Sequence, residues 1–232
     1  MDDLHIKVAA VESRLDAVTA TAERNRKDIT LLAVSKTRSA AHVQQAAESG
    51  IKSFGENYLQ EALEKMADLQ RLELDWHFIG PIQSNKTRQI SENFAWVHSV
   101  DRVKIAKRLS DQRPLAMGPL NICMQINIDN EPTKSGFSVE QAVAAALEIL
   151  ALPNLKLRGL MAIPAAQASI DAQRIPFAKL RKLKDLINRS LDNSEKLDTL
   201  SMGMSSDLEA AILEQATIIR VGTDIFGPRD TR

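Results

Sequence analysis

Leu4, Val8, Val11, Leu15 and Val18 recur at spacings of 4, 3, 4 and 3 residues. That spacing puts all of them on one stripe of a helix. The next apolar stretch is of another kind. Ile29-Thr30-Leu31-Leu32-Ala33-Val34 is short, almost continuously apolar and rich in β-branched residues, as a strand buried on both faces requires. The two patterns then alternate. Helices are expected over 41–49, stopped by Gly50, and over 58–72, with Leu59, Leu63, Met66 and Leu69 on its inner face. Further helices are expected over 84–92, from Asp101 as cap to 112, and over 139–150 with Ser138 as cap. A long helix over roughly 171–191 turns Phe177, Leu180, Leu183, Ile187 and Leu191 inward. Pro176 fits a helix only in its first turn, which places the start of that helix later. A last helix to 215 is capped by Ser206 or Asp207. Strands are expected up to Lys36 and over 53–57, 75–80, 95–100, 121–128, 156–163, 200–203 and 217–222.

Eight strands alternating with helices in 232 residues match a (β/α)₈ barrel, whose usual length is about 250 residues. An open doubly wound sheet alternates in the same way with fewer strands. The expected fold is a single TIM barrel with one extra N-terminal helix, and no linker rich in Pro, Gly or Ser divides 1–232. The first stripe is too short to prefer a coiled-coil dimer, so a monomer is expected.

Charge narrows the function classes. Lys plus Arg and Asp plus Glu both number 30. No basic excess points to nucleic acid or to a membrane surface. The cluster Lys179, Arg181, Lys182 and Lys184 reads as a solvated helix face. The single cysteine, Cys123, lies in an apolar run and reads as core filler. The segment Met1-Asp2-Asp3-Leu4-His5 lacks the pattern of a signal peptide. No apolar run approaches the ~20 residues of a membrane span. A cytoplasmic location is expected.

The candidate chemistry begins with Lys36, a lysine closing an apolar strand. Its head either reaches water where the strand surfaces, or sits as a neutral amine able to attack a carbonyl. In a barrel, chemistry gathers at the C-terminal ends of the strands, and phosphate commonly binds in the loops after strands seven and eight. Here those loops read Ser201-Met202-Gly203-Met204-Ser205-Ser206-Asp207 and Arg220-Val221-Gly222-Thr223-Asp224. Each offers backbone N–H groups and hydroxyls at the start of a helix, and each also reads as an ordinary cap and turn. Arg220 interrupts an apolar strand. It either pairs with a buried carboxylate or faces a ligand in the barrel mouth. In a closed barrel strand eight neighbours strand one, so an amine and an anion site come together. An aldehyde carrying a phosphate suits both. Pyridoxal 5′-phosphate and the sugar phosphates of Schiff-base aldolases are such molecules.

Six segments, in order, resemble the pyridoxal phosphate homeostasis protein family. They are Ala33-Val34-Ser35-Lys36-Thr37, Phe54-Gly55-Glu56-Asn57, Trp76-His77-Phe78-Ile79-Gly80, Gln83-Ser84-Asn85-Lys86, Ser201-Met202-Gly203-Met204-Ser205 and Arg220-Val221-Gly222-Thr223. The resemblance implies a barrel of the alanine racemase N-terminal type. It implies pyridoxal 5′-phosphate held on Lys36 as an internal aldimine. It further implies phosphate contacts from Ser201, Ser205, Gly222 and Thr223 around Gly203, with Arg220 at the pyridine nitrogen and Asn57 beside the ring. Members of that family bind the cofactor and influence vitamin B6 and amino-acid balance, with apo-enzymes as candidate recipients.

Two departures from alanine racemase bear on catalysis. The racemase has a second, β-rich domain with a catalytic tyrosine, whereas this sequence runs 10 residues past Gly222 and its only tyrosine is Tyr58. In the loop Asp129-Asn130-Glu131-Pro132-Thr133-Lys134-Ser135-Gly136, Lys134 stands where the racemase has an arginine touching the cofactor. It is either a second amine near the site or a solvated loop lysine. No turnover is expected, since racemisation needs an acid/base on each face of the ring and only Lys36 is apparent. A racemase-like enzyme of unknown substrate is the alternative.

Overall fold

The computed structural model describes residues 3–228. Met1 and Asp2, part of the segment read above for a leader, lie outside the described residues. The chain begins with α1 (Asp3–Thr21) and continues through β1 (Thr30–Val34), α2 (Ala40–Glu48), β2 (Ser53–Glu56), α3 (Leu59–Asp68) and β3 (Asp75–Phe78). Next come α4 (Thr87–Asn93), β4 (Trp96–Val100), α5 (Val103–Gln112), β5 (Leu120–Gln125), α6 (Val139–Leu150) and β6 (Leu155–Met161). The last part holds α7 (Ile170–Asn188), β7 (Thr199–Ser201), α8 (Leu208–Leu213), β8 (Ile218–Val221) and α9 (Thr223–Phe226).

The strands pair in sequence order and close into a parallel barrel. Closure is made by β1 against β8, with Leu32 beside Arg220 and Ala33 beside Val221. The (β/α)₈ barrel read from the alternation is therefore the fold. The extra helix α1 buries Leu4, Val8, Val11, Leu15 and Val18, the stripe expected from spacing. It lies against α2, α8 and α9, the helices flanking the closing strands, and so covers the seam where the two ends of the barrel meet. Among the described residues, no helix is long and apolar enough to cross a membrane.

Local signals fared unevenly. Ser138 caps α6, and its hydroxyl and the Gln141 side chain bond each other's backbone in a capping box. Asp101 does not cap α5. Arg102 holds that position, and the Asp101 carboxylate is taken instead by the Arg102 guanidinium at 2.7 Å. α7 starts at Ile170 with Ser169 as cap, and Pro176 lies inside it. An interior proline costs about 3 kcal/mol through its lost hydrogen bond and ring clash. Burial of Pro176, Phe177, Leu180, Leu183 and Ile187 along one face opposes that penalty. The expected inner face of α3 is present: Leu59 and Leu69 are buried, and Leu63 and Met66 pack against the core while partly covered. Ala62 and Lys65 are buried beside them. Arg181, expected to be solvated, reaches Glu214 at 3.1 Å. Cys123 is buried as expected, and burial pushes its thiol up to about 12.

Gly80, just past β3, marks a close approach that bears on the site. A Cβ there would lie 2.1 Å from the Asn57 carbonyl oxygen and 2.6 Å from its Cα. Gly80→Ala is expected to lower stability by about 1–3 kcal/mol through forced backbone displacement, read as a lower urea midpoint. An unchanged midpoint would show that the two segments are not locked together.

Candidate functional site

A cavity of about 500 Å³ opens at the C-terminal mouth of the barrel. Its polar wall includes Lys36, Ser205, Ser206, Arg220 and Thr223, with Gly222 between the last two. Val34, Ile79, Met161, Ile163 and Met204 form the apolar wall. These groups converge from the ends of β1, β3, β6, β7 and β8, because parallel strands all finish at the same end of a barrel. β1 stops at Val34, so Lys36 stands two residues beyond the strand, half-buried.

Five of the expected site residues thus share one cavity: Lys36, Ser205, Arg220, Gly222 and Thr223. Ser201, Gly203 and Asn57 are not on its wall. Ser201 is fully buried on β7, where it accepts a hydrogen bond from Arg220 Nη1 at 2.8 Å. Gly203 has φ +92°, and a Cβ there would lie 2.6 Å from the Ala211 Cβ, so a glycine lets α8 pack against the strand end. Its carbonyl accepts the Arg220 backbone N–H at 3.0 Å. Asn57 lies beside Gly80, and its buried Oδ1 has no hydrogen-bond partner among the described residues.

Arg220 is almost wholly buried, and among the described residues no carboxylate lies at bonding distance. Nη1 donates to Ser201 Oγ and Nη2 to the Ala162 carbonyl at 2.9 Å. Burial lowers its pKa to about 10, against the favourable field of Asp207, which leaves it charged at neutral pH. Burial raises the Asp207 carboxyl, which accepts the Met204 N–H at 2.6 Å and so shapes the β7 loop.

Behind Arg220 runs a polar chain that sequence reading missed. Ser201 Oγ is 2.7 Å from His98 Nδ1, and His98 Nε2 is 2.9 Å from His77 Nδ1. The direction of this chain follows from two facts: a guanidinium donates and never accepts, and among the described residues the Ser201 hydroxyl hydrogen has no acceptor other than His98. Ser201 accepts from Arg220 and turns its own hydrogen to His98 Nδ1. His98 then carries its proton on Nε2 and donates it to His77 Nδ1. Both imidazoles are neutral, since burial lowers His77 to about 3 and, with the fields of His77 and Arg220, holds His98 well below its usual value. His77 also stacks on Trp96 at 5.5 Å, and Arg158 covers that indole at 4.9 Å. The strand period of two and the lone histidine in each strand were visible, but their meeting inside the barrel was not.

A second missed group holds the two loops together. Arg14 of α1 donates through Nε to Glu209 Oε1 at 2.9 Å and through Nη1 to Asp224 Oδ2 at 2.5 Å. Its Nη2 reaches the Ser205 carbonyl at 3.0 Å. The hydrogen bond to Glu209 is the main cause of its raised pKa. One side chain thus ties the loop after β7 to the loop after β8. No local signal marks Arg14 in the sequence. Lys134 sits on a smaller neighbouring cavity of about 210 Å³, which shares Ile79 and Ile163 with the first. Its ammonium pairs with Glu131 and donates to the Ile163 carbonyl at 3.2 Å.

The buried imidazoles have a consequence for pH. Their folded-state pKa values lie below the unfolded value near 6.5, so the unfolded chain binds more protons. Stability is complete above about pH 6.5 and is lost as pH falls, by up to ~1.4 kcal/mol per pH unit for each imidazole. His77→Gln is expected to flatten the dependence of stability on pH between about 6.5 and 5 relative to wild type. In ¹⁵N NMR both rings should stay neutral over that range with the proton on Nε2. An imidazole titrating near 6.5 would contradict the chain.

The fold and the cavity have counterparts among known proteins. The family model for the alanine racemase N-terminal domain matches residues 6–230. The pyridoxal phosphate homeostasis protein of Pseudomonas aeruginosa is 54% identical over 230 residues, covering 99% of this chain and 97% of its own. That of Escherichia coli (strain K12) is 44% identical over 233 residues, covering 99% and 98%. The structure of PipY from Synechococcus elongatus PCC7942 with PLP bound matches at a TM-score of 0.85 and 33% identity, over 97% of this chain and 100% of that one. With its ordered motifs and its barrel, the chain belongs to the pyridoxal phosphate homeostasis protein family, built on the alanine racemase N-terminal domain.

Proposed function

We propose that the cavity holds pyridoxal 5′-phosphate, with Lys36 as its covalent attachment point, and that the chain keeps and releases the cofactor without turnover. The observation that carries this reading is the convergence of one amine, two hydroxyl loops and one buried guanidinium on a single cavity. That donor set fits the cofactor's aldehyde, phosphate and ring nitrogen in turn. The names of the relatives and the PLP-bound PipY structure support the same reading.

Bound there, the cofactor supplies a reactive aldehyde carbon. Lys36 would hold the cofactor there through its amine, as a neutral lysine can toward a carbonyl. Ser205 and Thr223 present hydroxyls to the phosphate, and Gly222 lets the backbone come close. Arg14 keeps those two loops at a fixed separation. Arg220 has five N–H donors and no acceptor, so it holds a proton toward the ring nitrogen and leaves that nitrogen to accept. An unprotonated pyridine withdraws electrons poorly, which disfavours carbanion chemistry. Racemisation needs a second acid/base, and among the described residues neither Tyr58 nor Asp224 is placed to serve as one. Tyr58 is 54% exposed, and the Asp224 carboxylate is engaged by Arg14. Another amine would take the cofactor from Lys36, with apo-enzymes as the recipients. We read 1–232 as one domain that acts as a cytoplasmic monomer.

Binding of two ligands to three variants tests this. Lys36→Ala should lose the visible absorbance band and the borohydride-fixed adduct while circular dichroism stays native. Ser205→Ala and Thr223→Val should each weaken pyridoxal 5′-phosphate by about tenfold, as loss of a charge-assisted hydrogen bond implies, and leave pyridoxal itself unaffected. Equal effects on both ligands would remove the phosphate assignment. An adduct that survives Lys36→Ala would remove the attachment.

A further inference from the structure

The residues on either side of Lys36 are gripped from outside the barrel. Ser35 Oγ donates to Glu56 Oε1 at 2.6 Å. The Ser35 carbonyl accepts Lys65 Nζ at 2.7 Å as well as the Arg38 N–H at 3.0 Å. On the other side, the Thr37 N–H donates to Glu61 Oε1 at 2.6 Å. Lys65 joins the two halves, donating also to Glu56 Oε1 at 2.8 Å and to Glu61 Oε1 at 2.5 Å. Its three N–H bonds are all used, one on the backbone beside Lys36 and two on the carboxylates that hold its neighbours.

This cluster is deeply placed. Ser35 and Glu56 are fully buried and Lys65 is 4% exposed. Burial raises the Glu56 carboxyl, against the field of Lys65, and its Oε2 has no partner among the described residues. Such a group is a weak source of net stability. A buried ion pair often contributes less than an apolar replacement of the same volume, because desolvation offsets the attraction. What the cluster does is hold a backbone shape. Thr37 sits at φ +63°, a left-handed conformation unfavourable for a β-branched residue and worth roughly 1–3 kcal/mol of strain. It persists only where the surroundings over-determine it, and Glu61 supplies the bond to its N–H.

We propose that Glu56, Lys65 and Glu61 are positioning residues for Lys36, locking Ser35 and Thr37 so that the amine meets its carbonyl partner from one fixed place in the cavity. None of the three touches the cavity wall. They act through the main chain on either side of the lysine. A lysine stem has several rotatable bonds, and reaction needs its nitrogen within about 3–3.5 Å of the carbonyl carbon with the right approach, so displacement of its root by about 1 Å lowers the rate steeply. The proposal rests on Lys36 being the attachment point.

Two ligands separate positioning from general structure. Pyridoxal 5′-phosphate forms the covalent link. Pyridoxine 5′-phosphate has the same ring and phosphate but an alcohol in place of the aldehyde, so it binds without one. Glu61→Ala, at the partly exposed end of the cluster, should slow formation of the 5′-phosphate adduct by about tenfold or more, as loss of a near-attack geometry implies. The affinity for pyridoxine 5′-phosphate should stay within about twofold of wild type. Glu61→Gln, which keeps an oxygen for the Thr37 N–H, should restore most of the rate. Should Glu61→Ala fail to fold, Glu61→Asp, which withdraws the oxygen by one methylene, is expected to show the same split. Equal weakening of both ligands, or an unchanged rate, would overturn the positioning role. If wild type forms no adduct at Lys36, the attachment itself fails, and that outcome is distinguishable from a wild-type adduct whose rate ignores Glu61.

Discussion

Everything at the mouth of this barrel depends on the parallel pairing of the first strand with the last. Leu32 lies beside Arg220 and Ala33 beside Val221, although nearly the whole chain separates them. This pairing brings Lys36, beyond the end of β1, to the same cavity as Gly222 and Thr223, beyond the end of β8. Neither end could build the site alone. α1 reinforces the same seam. Its buried stripe packs over the flanking helices, and Arg14 binds Ser205, Glu209 and Asp224 across it. The apolar face supplies the association, and the guanidinium sets the spacing of the two loops.

The other constraint is the handling of charge in a low-dielectric interior. Three ionisable groups of very low exposure, Arg220, Lys65 and Glu56, are kept by three different means. Arg220 spends donors on Ser201 and a carbonyl and turns the rest toward the cavity. Lys65 is fully paired, on two carboxylates and a backbone oxygen. Glu56 is half satisfied and has a raised pKa. The barrel interior completes the pattern with two neutral imidazoles, chained to Arg220 through the Ser201 hydroxyl. Each cluster terminates on a residue of the cavity or on a neighbour of Lys36.

Much of the fold was legible because its signals are periodic and local. The stripe of α1, the apolar run of β1 and the Ser138 capping box are all read within a few residues. The cavity was partly legible for a topological reason: barrels place loops seven and eight beside strand one, so Lys36, Ser205, Arg220, Gly222 and Thr223 could be grouped before any coordinates. What was not legible came from long range or from masquerade. Arg14 meets Glu209 across 195 positions. His77 and His98 look like isolated polar residues in two separate strands. Lys65 looks like the wet side of an amphipathic helix, yet it takes a core-facing place because a buried carboxylate waits there. Asp101 was read as a cap because the residue type suits one, but an adjacent arginine competes for its carboxylate. Pro176 was read as a boundary, and tertiary packing carried the helix through it.

The central claim is that one cavity, closed by β1 and β8, takes the cofactor's aldehyde at Lys36 and its phosphate at the two loops. A crystal structure of the chain grown with pyridoxal 5′-phosphate tests this most directly. Electron density is expected to run continuously from Lys36 Nζ into the ligand, with the phosphate against Ser205, Gly222 and Thr223 and Arg220 facing the ring nitrogen. Density joined to Lys134 or Lys86 instead, or a phosphate seated away from those loops, would contradict it.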